Sequence, residues 1–207
     1  MNASDNASST AVVWHDGHVT PQERFALLGQ QPVTVWLTGL SGAGKSTLAF
    51  ALEHQLAGNG RACFVLDGDN VRHGLNRDLG FSAGDRSENI RRIAEVAKLM
   101  NEGGLIVITA FISPYRADRE MARQIVGDAR FVEVHVATPI DACEERDVKG
   151  LYRRARNGEI PDFTGISAPY EKPENPAAII DTSTTALEAA VGQLVQILER
   201  RCCLVSE

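Results

Sequence analysis

Gly39-Leu40-Ser41-Gly42-Ala43-Gly44-Lys45-Ser46 decides the fold of this chain, because it stands where a strand-like run gives way to a helical pattern. Before it, Val33-Thr34-Val35-Trp36-Leu37-Thr38 is short, apolar and β-branched, as expected of a strand buried on both faces. After it, Leu48, Leu52 and Leu56 recur four residues apart, which predicts a helix from Ser46 to Leu56 that Gly58-Asn59-Gly60 stops. The octet is a complete phosphate loop in its required strand-to-helix context. Its glycines let backbone N–H groups approach phosphate oxygens without a Cβ in the way, and the helix N-terminus adds the positive end of its dipole. Lys45 is expected to bridge the β- and γ-phosphates of a nucleoside triphosphate, and the Ser46 hydroxyl to hold Mg²⁺. Gly39, Leu40, Ser41, Gly42, Ala43, Gly44, Lys45, Ser46 and Thr47 thus form the candidate ATP site.

Outward from the loop the same alternation continues. Ala62 to Leu66 reads as a second strand ending in Asp67-Gly68-Asp69, and Leu105–Ala110, Phe131–Val136 and Ala178–Ile180 as further strands. Between and after them, Glu88 to Asn101 and Leu187 to Arg201 carry apolar residues at helical spacing. The expected fold is α/β: a three-layer P-loop NTPase architecture with a mostly parallel five-stranded sheet covered on both sides. Ligands in such sheets sit beyond the C-terminal strand ends, which here carry Gly39, Asp67 and Phe111-Ile112-Ser113. The polar, Arg-, Gly- and Pro-bearing stretch over about 148–176 predicts a mobile lid that excludes water during transfer. Residues 1–31 read as a polar tail and lead-in, and 32–207 as one kinase domain.

Composition narrows the function. A chain of 207 residues, 43% hydrophobic and 23% charged, suits one soluble globular domain. A net charge of −6 argues against a nucleic-acid binder working by bulk charge. No apolar run approaches the roughly 20 residues of a membrane helix, and the Asn/Ser/Ala-rich start lacks the features of a signal peptide. Cys63, Cys143, Cys202 and Cys203 show no metal-ligand spacing, so reduced thiols in a cytoplasmic protein are expected. The chain has no Asn-Lys dipeptide, hence no GTPase base-reading motif, and its size favours a kinase of a small metabolite.

The acceptor side is less explicit. Asp67 and Asp69 flank Gly68 directly after a strand, where two carboxylates can bind Mg²⁺ or take a hydroxyl proton, although Asp-Gly is also an ordinary turn dipeptide. Arg72 and Arg86 stand in Gly/Asp-rich connecting sequence and suit an anionic acceptor, whereas Arg91 reads equally as a surface partner of Glu88. Phe81 and Phe111 lie near loop positions, where an aromatic ring either stacks on a base or belongs to the core.

Several longer stretches resemble the adenylylsulfate kinase family. They are Asp67-Gly68-Asp69-Asn70-Val71-Arg72-His73-Gly74-Leu75-Asn76, Asp78-Leu79-Gly80-Phe81, Glu88-Asn89-Ile90-Arg91-Arg92, Phe111-Ile112-Ser113-Pro114-Tyr115-Arg116 and Asp147-Val148-Lys149-Gly150-Leu151-Tyr152. Val13-Trp14-His15, Phe163-Thr164-Gly165-Ile166 and Pro169-Tyr170-Glu171 belong with them, so the likeness runs from about Val12 to Leu198. It implies an ATP- and Mg²⁺-dependent kinase of sulfate assimilation, usually dimeric. Such an enzyme phosphorylates the ribose 3′-hydroxyl of adenosine 5′-phosphosulfate. On that resemblance Asp69 polarises the 3′-hydroxyl or, with Ser46 and Asp67, orients Mg²⁺. Arg72, Arg86 and Asn89 hold the phosphosulfate, and Phe81, Phe111 and Phe163 pack around the adenosine. Ile112, Ser113 and Lys149 complete that pocket, and Arg146 lies near the ATP adenine. The family's serine at Ser113 is a phosphoserine intermediate in some members; direct in-line transfer needs none, and leaves Ser113 as a substrate contact. The resemblance also implies association with an ATP sulfurylase as one option for a partner. This chain departs from the family pattern at Ala110 and at Ser167-Ala168, near the lid. Two other readings stand beside it: a kinase for another small anionic or sugar acceptor, and a non-catalytic nucleotide-binding module.

Overall fold

The computed structural model describes residues 12–13, 15–147 and 149–202. Thr34–Thr38 (β1), Cys63–Asp67 (β2), Ile106–Ala110 (β3), Phe131–Val136 (β4) and Ala178–Ile180 (β5) form one sheet in the order β2-β3-β1-β4-β5. Every pairing is parallel, including β4 with β5, so the expected mostly parallel sheet is parallel throughout its described strands. The chain passes from β3 across β1 to β4, which makes the C-terminal end of β1 a switch point, where such sheets open a ligand crevice.

Strand alternation sorts the side chains into two cores. Val35, Leu37, Ile106, Ile108, Val132 and Val134 face helices Lys45–Gly58 (α2) and Leu187–Cys202 (α7), meeting Leu48, Leu52, Leu194 and Leu198. Trp36, Val107 and Phe131 point to the opposite face, against Ile90, Ile93 and Ala97 of Ala83–Glu102 (α3) and Ala122 of Arg116–Val126 (α4). Trp36 is fully buried and stacks on Phe131 at 5.4 Å and Phe111 at 6.2 Å between ring centroids. Losing a ring of that size from a closed core costs about 3–5 kcal/mol. Among the described residues no helix is long and apolar enough to cross a membrane.

The helices depart from expectation more than the strands. Within the lead-in, Pro21–Leu28 (α1) starts on a capping box in which Thr20 N–H donates to Glu23 and Glu23 N–H donates to Thr20 Oγ1. Just beyond it Gln30 is buried, its amide donating to Ala62 O (2.8 Å) and Gly104 O (2.7 Å) ahead of β2 and β3. α3 begins well before Glu88, capped by Ser82, which accepts from Asp85 N–H. Arg86 therefore stands in the first turn of a helix, not in connecting sequence. Arg72 sits in the short 3₁₀ turn Asn70–His73. α4 carries Met121, Ala122, Ile125 and Val126 at helical spacing although no helix was expected there, whereas Ile140–Arg146 (α5) and Leu151–Arg156 (α6) are too short to show a plain apolar stripe. The segment expected to be a lid contains α6, and buries Tyr152 and Phe163 edge to face at 5.0 Å. Trp14, Val148, Cys203 and the first eleven residues lie outside the described residues.

Candidate active site

The phosphate loop is shaped from outside by side chains that capture its carbonyls. Tyr152 Oη donates to Ser41 O (2.8 Å) and Arg146 to Gly42 O (3.2 Å). Thr138 and Thr182 hydroxyls both donate to Ala43 O, at 3.0 and 2.9 Å. In a planar trans peptide the N–H points opposite to its carbonyl, so pulling the Ser41 and Ala43 carbonyls outward turns the Gly42 and Gly44 N–H groups inward. A Cβ at Gly39 would lie 2.3 Å from Val136 O, and at Gly44 2.9 Å from Thr182 Oγ1 on a backbone with φ +92°. Glycine is required at both positions.

Lys45 opens α2 with its ammonium buried, donating to Gly39 O (2.9 Å) and Leu40 O (2.6 Å) of the same loop. Burial pushes it down to about 8, partly offset by Asp67 and Asp69. A desolvated cation beside the inward Gly42 and Gly44 amides fits an oligophosphate.

Beside it the Ser46 hydroxyl donates to Asp67 Oδ2 at 2.6 Å. Asp67 is buried at the end of β2, its other oxygen accepting from Asp69 N–H (3.0 Å) and Asn70 N–H (3.3 Å). Those bonds leave the Asp67 oxygen that touches Ser46 aimed at the loop. Among the described residues no cluster of three or more His, Cys, Asp or Glu forms a metal cage. Mg²⁺ needs none, because it takes one or two protein oxygens and fills its shell with phosphate oxygens and water. Ser46 and Asp67 fit that role. Asp69 is turned elsewhere, paired with Lys149, both side chains well exposed.

The residues expected on the acceptor side stand on several elements. Arg72 donates to Leu79 O and Gly80 O and lies over the exposed Phe81 ring at 4.3 Å. Arg86 reaches the segment expected to be a lid, donating to Thr164 Oγ1 (3.0 Å) and Asp162 O, and also to Phe81 O. Asn89 is buried and accepts from Asn76 Nδ2 at 2.9 Å. Phe111 and Phe163 are both largely buried, Phe111 on the Trp36 side of the sheet and Phe163 on the other. Ile112 offers its carbonyl to Thr38 Oγ1. Ser113 is buried at φ +38°, its hydroxyl accepting from Trp36 Nε1. Arg146 bonds the outer side of the loop and Thr182 rather than standing alone over a base site.

Several residues of this site carry no motif of their own. Thr138, Thr182 and Tyr152 hold the loop, and Thr38, Arg119, Glu133 and Tyr170 support the Ile112–Ser113 segment. Only the family likeness hinted at any of them, Tyr152 at the end of Asp147-Val148-Lys149-Gly150-Leu151-Tyr152 and Tyr170 within Pro169-Tyr170-Glu171.

Comparison with known proteins agrees with this geometry. The family model for adenylylsulphate kinase matches residues 31–181. An adenylyl-sulfate kinase of Staphylococcus epidermidis is 53% identical over 193 residues, covering 93% of this chain and 97% of that protein. One of Shewanella amazonensis is 57% identical over 187 residues, covering 90% and 94%. The Mycobacterium tuberculosis APS kinase CysC, solved in complex with AMPPNP and APS, superposes with a TM-score of 0.79. It is 46% identical, over 82% of this chain and 98% of that one. A phosphate loop braced at each carbonyl, a Ser46–Asp67 pair beside it and a match over most of the chain converge on one statement: this chain belongs to the adenylylsulphate kinase family.

Proposed function

We propose that the chain transfers the γ-phosphoryl group of ATP to the 3′-hydroxyl of adenosine 5′-phosphosulfate, giving 3′-phosphoadenosine 5′-phosphosulfate and ADP. The bond from the γ-phosphorus to the β,γ-bridging oxygen breaks, the bond from phosphorus to the 3′-oxygen forms, and the hydroxyl proton leaves to a base. The observation that carries the reading is Asp67-Gly68-Asp69 at the end of β2, one carboxylate on Ser46 and the other turned to the open side.

Gly39 to Thr47 hold the phosphates, with the Lys45 ammonium neutralising the charge that builds on the transferred group. Ser46 and Asp67 would hold Mg²⁺, which would supply charge neutralisation to the phosphates. Asp69 takes the 3′-hydroxyl proton, released from Lys149 as that lysine turns to the acceptor's anionic group. Arg72, Arg86 and Asn89 bind the phosphosulfate, and Phe81, Phe111 and Phe163 border the adenosine. Ser113 shapes the acceptor loop from within; its hydroxyl, committed to Trp36, suits that better than attack on ATP. Arg146 acts on the ATP side by holding the loop. On the same reading the kinase domain spans 32–207 with a lid over about 148–176, and works as a cytoplasmic homodimer. An ATP sulfurylase nearby would supply its acceptor.

A coupled ADP-release assay over a panel of acceptors tests the reading: adenosine 5′-phosphosulfate, AMP, shikimate, gluconate and adenosine. Turnover with adenosine 5′-phosphosulfate far above the others is expected; preference for a sugar acid, or none above water, contradicts it.

A further inference from the structure

We infer that Arg119 is a positioning residue for the acceptor. From inside the protein it locks the Ile112–Ser113 backbone and the strap at residues 170–172 into one arrangement. The inference rests on the function proposed above, with Ile112 and Ser113 on the acceptor side.

Arg119 lies near the start of α4 and is only 3% exposed. Its guanidinium is divided among separate segments. Nε donates to Glu133 Oε1 on β4, Nη1 to Ser113 O and Nη2 to Glu171 O, each at 2.7 Å. A buried ion pair gains little stability over apolar packing, because desolvation offsets the attraction. What the rigid fork supplies is direction. Glu133 fixes the plane of the guanidinium, and the remaining nitrogens then set where two backbone carbonyls must stand.

One of those carbonyls needs holding. Ser113 has φ +38°, a left-handed conformation costly for a residue with a Cβ, which persists only where the surroundings over-determine it. Besides the bond from Arg119, Thr38 Oγ1 donates to Ile112 O at 2.7 Å, and Tyr170 Oη reaches Thr38 Oγ1 at 3.0 Å. With the threonine proton committed to Ile112, Tyr170 is the donor. Glu171 N–H also donates to Pro114 O (2.9 Å), and the Glu171 carboxylate accepts from Arg116 N–H (2.7 Å). The strap is thus sewn to the acceptor-side loop, and Arg119 is the innermost tie.

The phosphate loop is held by a different set, Tyr152, Arg146, Thr138 and Thr182, none of which touches Arg119. Loosening Arg119 should therefore disturb acceptor binding and spare ATP, a split that general destabilisation does not produce.

Steady-state kinetics on the full chain test this, with wild type, Arg119→Lys and Tyr170→Phe. Lysine keeps a charge for Glu133 but cannot span both carbonyls. Arg119→Lys is expected to raise KM for adenosine 5′-phosphosulfate by roughly tenfold or more while KM for ATP stays within about twofold. Tyr170→Phe keeps the ring, stacked on His135, and loses only the hydroxyl. It should raise the acceptor KM by roughly threefold to tenfold, again sparing ATP. If Arg119→Lys fails to fold, Tyr170→Phe decides. Acceptor KM values within twofold of wild type, or equal rises in both KM values, overturn the inference. A wild type that turns over ATP with a different acceptor overturns the proposed function instead.

Discussion

The indole N–H of Trp36 donates to the hydroxyl of Ser113 at 3.1 Å, joining the middle of β1 to the loop that follows β3 inside the core. Both residues are buried, so the bond commits one Ser113 oxygen lone pair inward, toward a group that has no water to turn to.

Ser113→Ala should therefore cost stability more than chemistry. Stranding the Trp36 donor is expected to cost about 1–3 kcal/mol, read as a thermal midpoint lower by roughly 2–4 °C per kcal/mol for a chain of this size. kcat should stay within about tenfold. A variant of unchanged midpoint with no turnover would instead make the hydroxyl a phosphoryl carrier.

ATP binding should weaken above pH 8. The buried Lys45 ammonium, lowered to about 8, is held below its value in the unfolded chain. Between those values the unfolded state binds more protons, so this group makes stability rise with pH over that window and contributes a cost below it. Phosphate binding restores the charge and must take up a proton. Calorimetry at pH 9 in buffers of different ionisation enthalpy should show uptake of about 0.9 proton per nucleotide, and far less at pH 7. Equal uptake at both pH values would place the lysine elsewhere in its titration.

Asp67→Asn should separate metal chemistry from folding. The amide oxygen can still accept from Asp69 N–H and Asn70 N–H, so the turn is kept. The charge beside Ser46 is lost, and kcat should fall by roughly 10²–10³-fold with a raised Mg²⁺ requirement. Circular dichroism reports on the fold in parallel. Full activity at unchanged Mg²⁺ would exclude Asp67 from the metal site.

Lys149→Ala should do the opposite of Ser113→Ala. Its pair with Asp69 is exposed, 58% and 68% for the two side chains, and such pairs add little to stability. The midpoint should move by less than about 2 °C, while KM for adenosine 5′-phosphosulfate rises by roughly tenfold. A large midpoint drop with normal KM would make the pair structural.

The donor half was legible because the phosphate loop is contiguous and its flanks have strong periodicity. Val33 to Thr38 and Leu48, Leu52 and Leu56 announce β1 and α2 without help from the rest of the chain. α4 was within reach through Met121, Ala122, Ile125 and Val126 at helical spacing, but its buried face opens with Asp118 and Arg119, charged residues that a hydrophobic pattern assigns to solvent. α1 was within reach: Thr20-Pro21-Gln22-Glu23 is a capping box with proline at the first helical position. The start of α3 was missed because Ala83 to Ser87 carry no apolar face, only the Ser82 cap. The supports of the site, Thr138, Thr182, Arg119 and Tyr170, come from separate elements, and only folding brings them together. Family likeness pointed at the acceptor residues, but their mutual placement needed the three-dimensional structure.

The most direct test is to identify the product. The chain is incubated with ATP, Mg²⁺ and adenosine 5′-phosphosulfate at saturating levels, and the mixture is followed by phosphorus NMR and mass spectrometry. One phosphomonoester on the 3′-oxygen for each ADP released, with the sulfate still attached, is the expected result. ATP consumed without a 3′-phosphorylated product, or no reaction by a folded protein, would contradict the assignment.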